Sequence, residues 1–430
     1  MNEVPPLLGR NVLESFVKGF QERKESFLTV REQHGSPLYL LDEEALRRRA
    51  KEFTNEFGSA LTNGRCPMGR IHYAVKSNHH PQVCRILCEE GTGLDVSSGE
   101  ELQLALDVGA DSIVFSGPGK TEAELSLALK HADRVTLLVD SFGELERLAA
   151  LTRERDDLAT MPLKMGVRLT VNEEGLWRKF GISLIQVARF MGRAEEIPGL
   201  LFQGLQFHTS WNLNPKAQVE FIEKLGSMLA GWGSTELERI RFIDIGGGFW
   251  PPWGEWLRDK KDPLTHRSWT SEPLSVFAKE IREAVDTHLA PHVQCEIWLE
   301  PGRWLCNDAM HLLLTVVDKK GEDLVITDGG TQSVGWERFE SDYFPMINLS
   351  RPSLTEHPCH VLGSLCTPHD VWGYAYFGED ILPGDLLLIP IQGAYTYSLR
   401  QQFIKASPPV VVANGTDRET GYRAITHKPQ

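Results

Sequence analysis

From about residue 70 the chain alternates short runs rich in β-branched and aromatic residues with longer stretches whose apolar positions recur every three to four residues. The first kind reads as strand and the second as amphipathic helix, because side chains alternate across a strand but return to one helix face every 3.6 residues. The strand-like runs are IHYAVKS (71–77), GLDVSS (93–98), SIVFSGP (112–118), RVTLLVD (134–140), LKMGVRLT (163–170), GLLFQGLQFHTS (199–210), RFIDIGGG (241–248) and QCEIWLEPG (294–302). Between them lie helical patterns such as PQVCRILCEE, EELQLALDVG, EAELSLALKHA and PLSVFAKEIREAV. Eight strand-then-helix units in succession predict an α/β fold, a (β/α)8 barrel. An open doubly wound sheet is the competing arrangement, but it seldom needs eight strands before its chain turns elsewhere.

After residue 303 the rhythm changes. LLLTVVDK, DLVITDGG, HPCHVLGSLC, DLLLIPI and PPVVVANG read as strands separated by turns, with little helix, which predicts a C-terminal antiparallel β-domain. SPLYLLDEEALRRRA (36–50) reads as a strand entering a helix, so the N-terminus is expected to lend that domain a strand. The resulting division is a barrel over 45–303 and a β-domain from 1–44 and 304–430. The segment WPPWGEWLRDKKDPLTHRSWTSEP (250–273) is long for a barrel connection and reads as a lid or interface element. Its tryptophans, Trp250, Trp253, Trp256 and Trp269, suit either the wall of an enlarged pocket or plain packing.

Composition narrows the function without touching the fold. With 41% hydrophobic and 24% charged residues the chain is an ordinary globular protein, and its net charge of -14 argues against a nucleic-acid partner, which requires a basic face. The seven cysteines show no short metal-type spacing; Cys84 and Cys88 lie four apart with no further ligand nearby, so no metal site is expected. Neither a signal-type apolar core nor a membrane-length run is present, which leaves a cytoplasmic protein as the expectation.

Active sites on such barrels sit at the C-terminal ends of the strands. There the chain places Lys76 on the first strand, Asp95 on the second, His208 on the sixth, Gly246-Gly247-Gly248 on the seventh and Glu300-Pro301-Gly302-Arg303 on the eighth. Each has an ordinary reading alone: a solvated lysine, a structural histidine, a tight turn, an ion-pair partner. Their meeting at one rim is what points to chemistry. A triple glycine lets backbone N–H groups approach a phosphate, and the N-terminus of a following helix would add a favourable dipole.

These residues resemble the fold-III pyridoxal-phosphate decarboxylases, the family of diaminopimelate, ornithine and biosynthetic arginine decarboxylases, whose barrel-plus-β-domain architecture is shared with alanine racemase. YAVKSN (73–78) is similar to the family's Schiff-base lysine motif, GGGF (246–249) to its phosphate loop, and EPGR (300–303) matches directly. GSLCTPHD (363–370) resembles its catalytic cysteine motif and GAY (393–395) its tyrosine motif, all in the expected order. The resemblance implies pyridoxal 5'-phosphate bound covalently by Lys76, with Asp95 at the cofactor, His208 stacked on its ring and Glu300 at the ring nitrogen. It further implies phosphate contacts from Gly246, Gly247, Gly248, Gly302, Arg303 and Tyr395. Cys366 would be the proton donor, with Thr367, Asp370 and Tyr343 near the substrate. In relatives the cysteine and tyrosine motifs come from the second subunit, so the resemblance implies a homodimer with shared sites.

The departures bear on the substrate. The family's His-x-Gly-Ser reads His208-Thr209-Ser210-Trp211 here, which replaces a phosphate-binding serine by Trp211 and leaves Ser210 as a substitute. The residue after the cysteine, Glu or Asp in diaminopimelate and ornithine decarboxylases, is Thr367, which cannot pair with a distal ammonium ion. The arginine expected after DGG (328–330) aligns near Trp336, with Arg338 two residues on. The CTPxD form resembles members of specialised biosynthesis, so the expected reaction is decarboxylation of an amino-acid-type small molecule such as a siderophore precursor or a carrier-linked amino acid. A racemase on the same barrel, a catalytically silent regulatory homologue, and a sugar- or nucleotide-phosphate barrel enzyme remain as alternatives. The last of these leaves Lys76 and Cys366 unexplained.

Overall fold

A computed structural model describes residues 4–413, except 63, 154 and 336–341; Trp336 and Arg338 therefore lie outside the described residues. The chain divides into two compact units, Arg49–Trp250 with Glu272–Leu305, and Met1–Arg48 with Pro251–Ser271 and Cys306–Gln430.

The first unit is a closed barrel of eight parallel strands: β1 (Met68–Ala74), β2 (Gly93–Val96), β3 (Ile113–Phe115), β4 (Val135–Val139), β5 (Leu163–Leu169), β6 (Leu200–Phe207), β7 (Phe242–Asp244) and β8 (Glu296–Leu299). The strands are short because helices cover their outer faces and side chains fill the inside, so both faces are buried; every residue of β4 is. Helix starts follow local chemistry. Ser98 and Ser141 accept the backbone N–H of Glu101 and Glu144, and Thr121 with Glu124 makes a reciprocal capping box. Inside the barrel Phe242 and Trp298 stack with centroids 3.9 Å apart and planes 3° from parallel, beside Val114 and Leu138. Gly204 makes this possible, since a Cβ there would run into the Phe242 ring.

The strands end earlier than their sequence patterns suggest. Lys76 lies in a 3-10 turn (Val75–Ser77) just past β1; His208, the triple glycine and Glu300 likewise follow β6, β7 and β8. At the barrel mouth the backbone leaves the ladder so that these groups turn inward. No helix follows the glycine loop, contrary to the expected dipole; the chain runs on into Trp250, and the next long helix is Leu274–Ala284.

The second unit holds an eight-stranded sheet in the spatial order 324–327, 356–362, 371–377, 347–348, 386–389, 310–319, 38–42, 410–413. It is mostly antiparallel, with parallel pairings of 38–42 to 410–413, 324–327 to 356–362, and 347–348 to 371–377. The N-terminal strand Leu38–Asp42 lies within it, between Met310–Lys319 and Val410–Ala413. Two helices absent from the sequence reading, α1 (Arg10–Gln21) and α2 (Lys24–His34), precede that strand. The tryptophan-rich segment, assigned to the barrel stretch by sequence, belongs to this unit and forms a hairpin of Glu255–Arg258 with His266–Trp269. Aromatic packing holds it there: the Phe16 ring meets Trp253 and Trp256 edge-on at 5.2 and 4.9 Å. At Trp256, which is buried, the packing reading applies.

Candidate active site

The barrel mouth gathers Lys76, Asp95, His208, Gly246 to Gly248, Glu300, Gly302 and Arg303. Lys76 Nζ is 3.3 Å from Asp95 Oδ2, and Asp95 is wholly buried. The other Asp95 oxygen accepts a hydrogen bond from the Ser116 hydroxyl. Arg168, at the end of β5, donates to the Ser116 carbonyl at 3.1 Å and stacks on the Phe180 ring at 4.5 Å.

Glu300 is buried, and Gln206 Nε2 donates to both its carboxyl oxygens at 3.3 and 3.2 Å. Burial raises its pKa well above the carboxylate range, helped by the negative charges of Asp244 and Asp95 and opposed by Lys76 and Arg168. Asp244, also fully buried, is pushed up to about 7 by burial; its Oδ1 accepts the Gly246 N–H at 2.8 Å, which pulls the other way. Burial likewise lifts Glu101 to about 7. His208 is held neutral, its pKa driven far down by burial and then by Lys76 and Arg168. Its Nδ1 accepts the Gly247 N–H at 3.1 Å, which puts the ring hydrogen on Nε2, so its 3.9 Å approach to Glu300 is not an ion pair.

The glycine loop is tied on every side. A Cβ at Gly247 would strike the Glu300 carbonyl oxygen, and Gln218 Nε2 donates to the Gly247 carbonyl at 3.1 Å. Asn212 donates its N–H to the Gly248 carbonyl at 3.0 Å, which leaves Trp211 at φ 59 and 71% exposed, with Ser210 half-buried beside it. Arg303 lies over the Trp250 ring at 4.5 Å. Gly302 packs so closely on Ser77 that a Cβ would collide with its hydroxyl, and that buried hydroxyl has no hydrogen-bond partner among the described residues.

These residues fit pyridoxal phosphate. A lysine amine stands beside a buried acid, a second buried acid is available for the ring nitrogen, and a neutral imidazole approaches that second acid at 3.9 Å. The glycine loop provides backbone at close approach, and Ser77 an unused hydroxyl. Among the described residues no three or more His, Cys, Asp or Glu side chains cluster as metal ligands, and no helix is long and apolar enough to cross a membrane.

The remaining sequence-selected residues belong to the sheet unit. Cys366 is exposed in the turn 363–370, and Thr367 Oγ1 accepts the His369 N–H at 3.4 Å. Asp370, read from sequence as a substrate contact, is instead committed to that turn. It is 2% exposed; Oδ1 accepts the N–H and hydroxyl of Thr331 at 2.7 and 2.9 Å, and Oδ2 accepts the Leu365 N–H at 2.7 Å. Tyr343, expected near the substrate, lies in the same unit. It is buried, it donates to Glu356 at 2.8 Å, and its ring stacks on His266 at 3.5 Å. Tyr395 sits at φ 55 in a turn anchored by the Gly393 N–H on the Asn307 carbonyl at 3.0 Å.

Sequence reasoning missed Arg168, Gln206, Asp244, Ser116 and Glu101. A signal existed for two of them: Gln206 and Asp244 stand two residues before His208 and Gly246, so strand alternation turns them to the same inner face.

Comparison with known proteins shows the family. The family described as pyridoxal-dependent decarboxylase, pyridoxal binding domain, matches residues 43–307. The chain belongs to that family: it is an amino-acid decarboxylase that uses pyridoxal phosphate. It is 28% identical to the diaminopimelate decarboxylase of Bacillus subtilis (strain 168) over 90% of this chain and 88% of that one. With the diaminopimelate decarboxylase of Aquifex aeolicus (strain VF5) it shares 24% over 97% and 94%. Among solved structures it is similar to a lysine/ornithine decarboxylase from Vibrio vulnificus complexed with putrescine, with TM-score 0.73, 25% identity, and coverage of 91% and 98%. It shares the fold of the diaminopimelate decarboxylase from M. jannaschi, with TM-score 0.80, 23% identity, and coverage of 94% and 92%.

Proposed function

We propose that this decarboxylase acts on an amino-acid-derived substrate whose far end carries no free ammonium group, such as a siderophore precursor or a carrier-linked amino acid. The observation that carries the reading is the Cys366 turn. Thr367 follows the cysteine, and the turn's one carboxylate, Asp370, already has both oxygens bonded inside the protein. A distal ammonium ion therefore finds no acidic partner within 363–370, whereas a neutral or extended group meets no unpaired charge.

When bound, pyridoxal phosphate supplies an electron sink at the substrate's Cα. Lys76 would hold the coenzyme aldehyde through Nζ, with Asp95 orienting that side chain at 3.3 Å. Glycines 246 to 248 with Arg303 and Gly302 would hold the phosphate, and Glu300 would stand at the ring nitrogen. His208, kept neutral, would cover the ring without adding charge. Cys366 Sγ–H would be the group that supplies a proton to the substrate's Cα. In a homodimer with shared sites, Cys366 and Tyr395 serve the partner's barrel; the exposure of Cys366 supports this arrangement. The absence of disulfides among the seven cysteines supports a cytoplasmic, reducing setting.

The test is CO2 release by coenzyme-loaded protein from L- and D-amino acids, meso-diaminopimelate, ornithine, lysine, and citryl- or carrier-linked amines. The expected result is a kcat/KM at least about tenfold higher, roughly 1.4 kcal/mol, for a substrate lacking the distal ammonium. A preference for meso-diaminopimelate, lysine or ornithine overturns the reading.

A further inference from the structure

A cleft of about 650 Å3 opens in the sheet unit, among residues that none of the chemistry above uses. Helix α1 forms one wall through Phe16 and Phe20; Trp253 closes a second side, and His311 and Ile391 contribute a third. Helix α1 lies ahead of residue 43, where the family match begins.

The polar groups around the cleft carry both signs: Arg23 and Arg48 against Asp42 and Asp308. The Arg23 guanidinium is held over the Phe20 and Phe27 rings at 5.2 and 5.6 Å, and its link to Asp42 is stretched to 3.5 Å, so it retains donors for another acceptor. Arg48 is exposed and makes no ion pair among the described residues.

His311 is the informative residue. It is 2% exposed, and its Nδ1 accepts the Ile391 N–H at 3.2 Å, so the ring hydrogen lies on Nε2. That Nε2 has no hydrogen-bond partner among the described residues. The ring is packed edge-on against Phe20 and Phe27 at 5.2 and 6.1 Å, which fixes it in the cleft wall. Ile391 itself sits at φ 52, a conformation that β-branched residues rarely adopt and that collects at ligand clamps.

We infer that this cleft is a binding site for a small zwitterion with an apolar body, the class of free amino acids with aromatic or branched side chains. The carboxylate answers Arg23 and Arg48; the ammonium answers Asp42 and Asp308; the body rests on Phe16, Phe20 and Trp253. A simple anion meets two aspartates, and a simple cation meets two arginines. The volume falls in the range of small-molecule pockets, roughly 300–1,000 Å3. The inference does not depend on which substrate the barrel decarboxylates.

Isothermal titration of the full coenzyme-loaded chain tests it, after borohydride reduction so that no amine exchanges at Lys76, with L-phenylalanine and L-leucine as probes. Saturable binding is expected. It weakens at least tenfold in Arg48→Glu and disappears in Val12→Trp, both changes at exposed positions on the cleft. Phenethylamine and 3-phenylpropionate, each lacking one charge, bind at least tenfold more weakly than L-phenylalanine. The inference falls if neither amino acid gives saturable heat, if both variants bind as the parent does, or if a one-charge analogue binds equally well.

Discussion

Lys76 Nζ lies 3.3 Å from Asp95 Oδ2, and Asp95 is in turn held by the Ser116 hydroxyl, so three adjacent strands fix the position of one amine. The two residues are 19 apart in sequence and meet only because the barrel places their strands side by side. Asp95→Asn removes the charge but keeps the shape. The expected outcome is coenzyme affinity at least about tenfold lower, roughly 1.4 kcal/mol, with near-parental thermal stability of the coenzyme-free chain. Absorbance titration with pyridoxal phosphate measures the first and calorimetry the second.

Asp244 carries a pH signature. Its pKa stands at about 7 in the folded chain against 3.8 ordinarily, so between these values the folded state keeps a proton that the unfolded state has lost. The stability this provides is complete below 3.8 and drains away as pH rises through about 7. His72 and His311, depressed to about 3 from 6.5, act in the opposite sense, stabilising above 6.5 and failing as pH falls. Comparison with a variant isolates the carboxyl contribution. The Tm of Asp244→Asn should rise relative to the parent protein's as pH increases across that window, and parallel curves would refute the assignment.

Gly247→Ala places a methyl group against the Glu300 carbonyl oxygen, a backbone atom that cannot swing aside. Coenzyme binding should be lost or greatly weakened while the barrel still folds, because the strain falls on a loop outside the strands. Far-ultraviolet circular dichroism and coenzyme titration together check this. Coenzyme binding at parental strength would show that the glycine loop is not the cradle.

The corrected role of Asp370 separates it from its neighbour. Asp370→Ala strands three donors in a buried turn and should destabilise the protein by roughly 3 kcal/mol or more, with the order of preferred substrates unchanged. Urea unfolding and CO2 release measure the two effects. A changed substrate preference without loss of stability would return Asp370 to the substrate.

Cys366→Ala should leave stability and coenzyme absorbance intact, since the side chain is exposed, yet lower turnover by about 10²-fold or more if it delivers the proton to Cα. Turnover within a few-fold of the parent's would assign that step to another group.

Residue order alone determined the larger part of the architecture. Eight apolar runs spaced by amphipathic stretches specify a parallel barrel because burial on both faces demands continuous apolar strands, and Lys76, Gly246–Gly248 and EPGR mark one rim because each follows the C-terminal end of such a strand. Other features depended on neighbours that no local pattern encodes. Whether a carboxyl such as Asp370 faces a ligand or satisfies its own turn depends on which N–H groups the folded chain brings within reach, and Thr331 is 39 residues away. The tryptophan-rich segment took its place through Phe16, far upstream, because buried aromatic area selects its partner by shape and not by sequence distance. Gln206 straddles Glu300 across 94 residues for the same reason: hydrogen-bond geometry between side chains exists only once the barrel has closed.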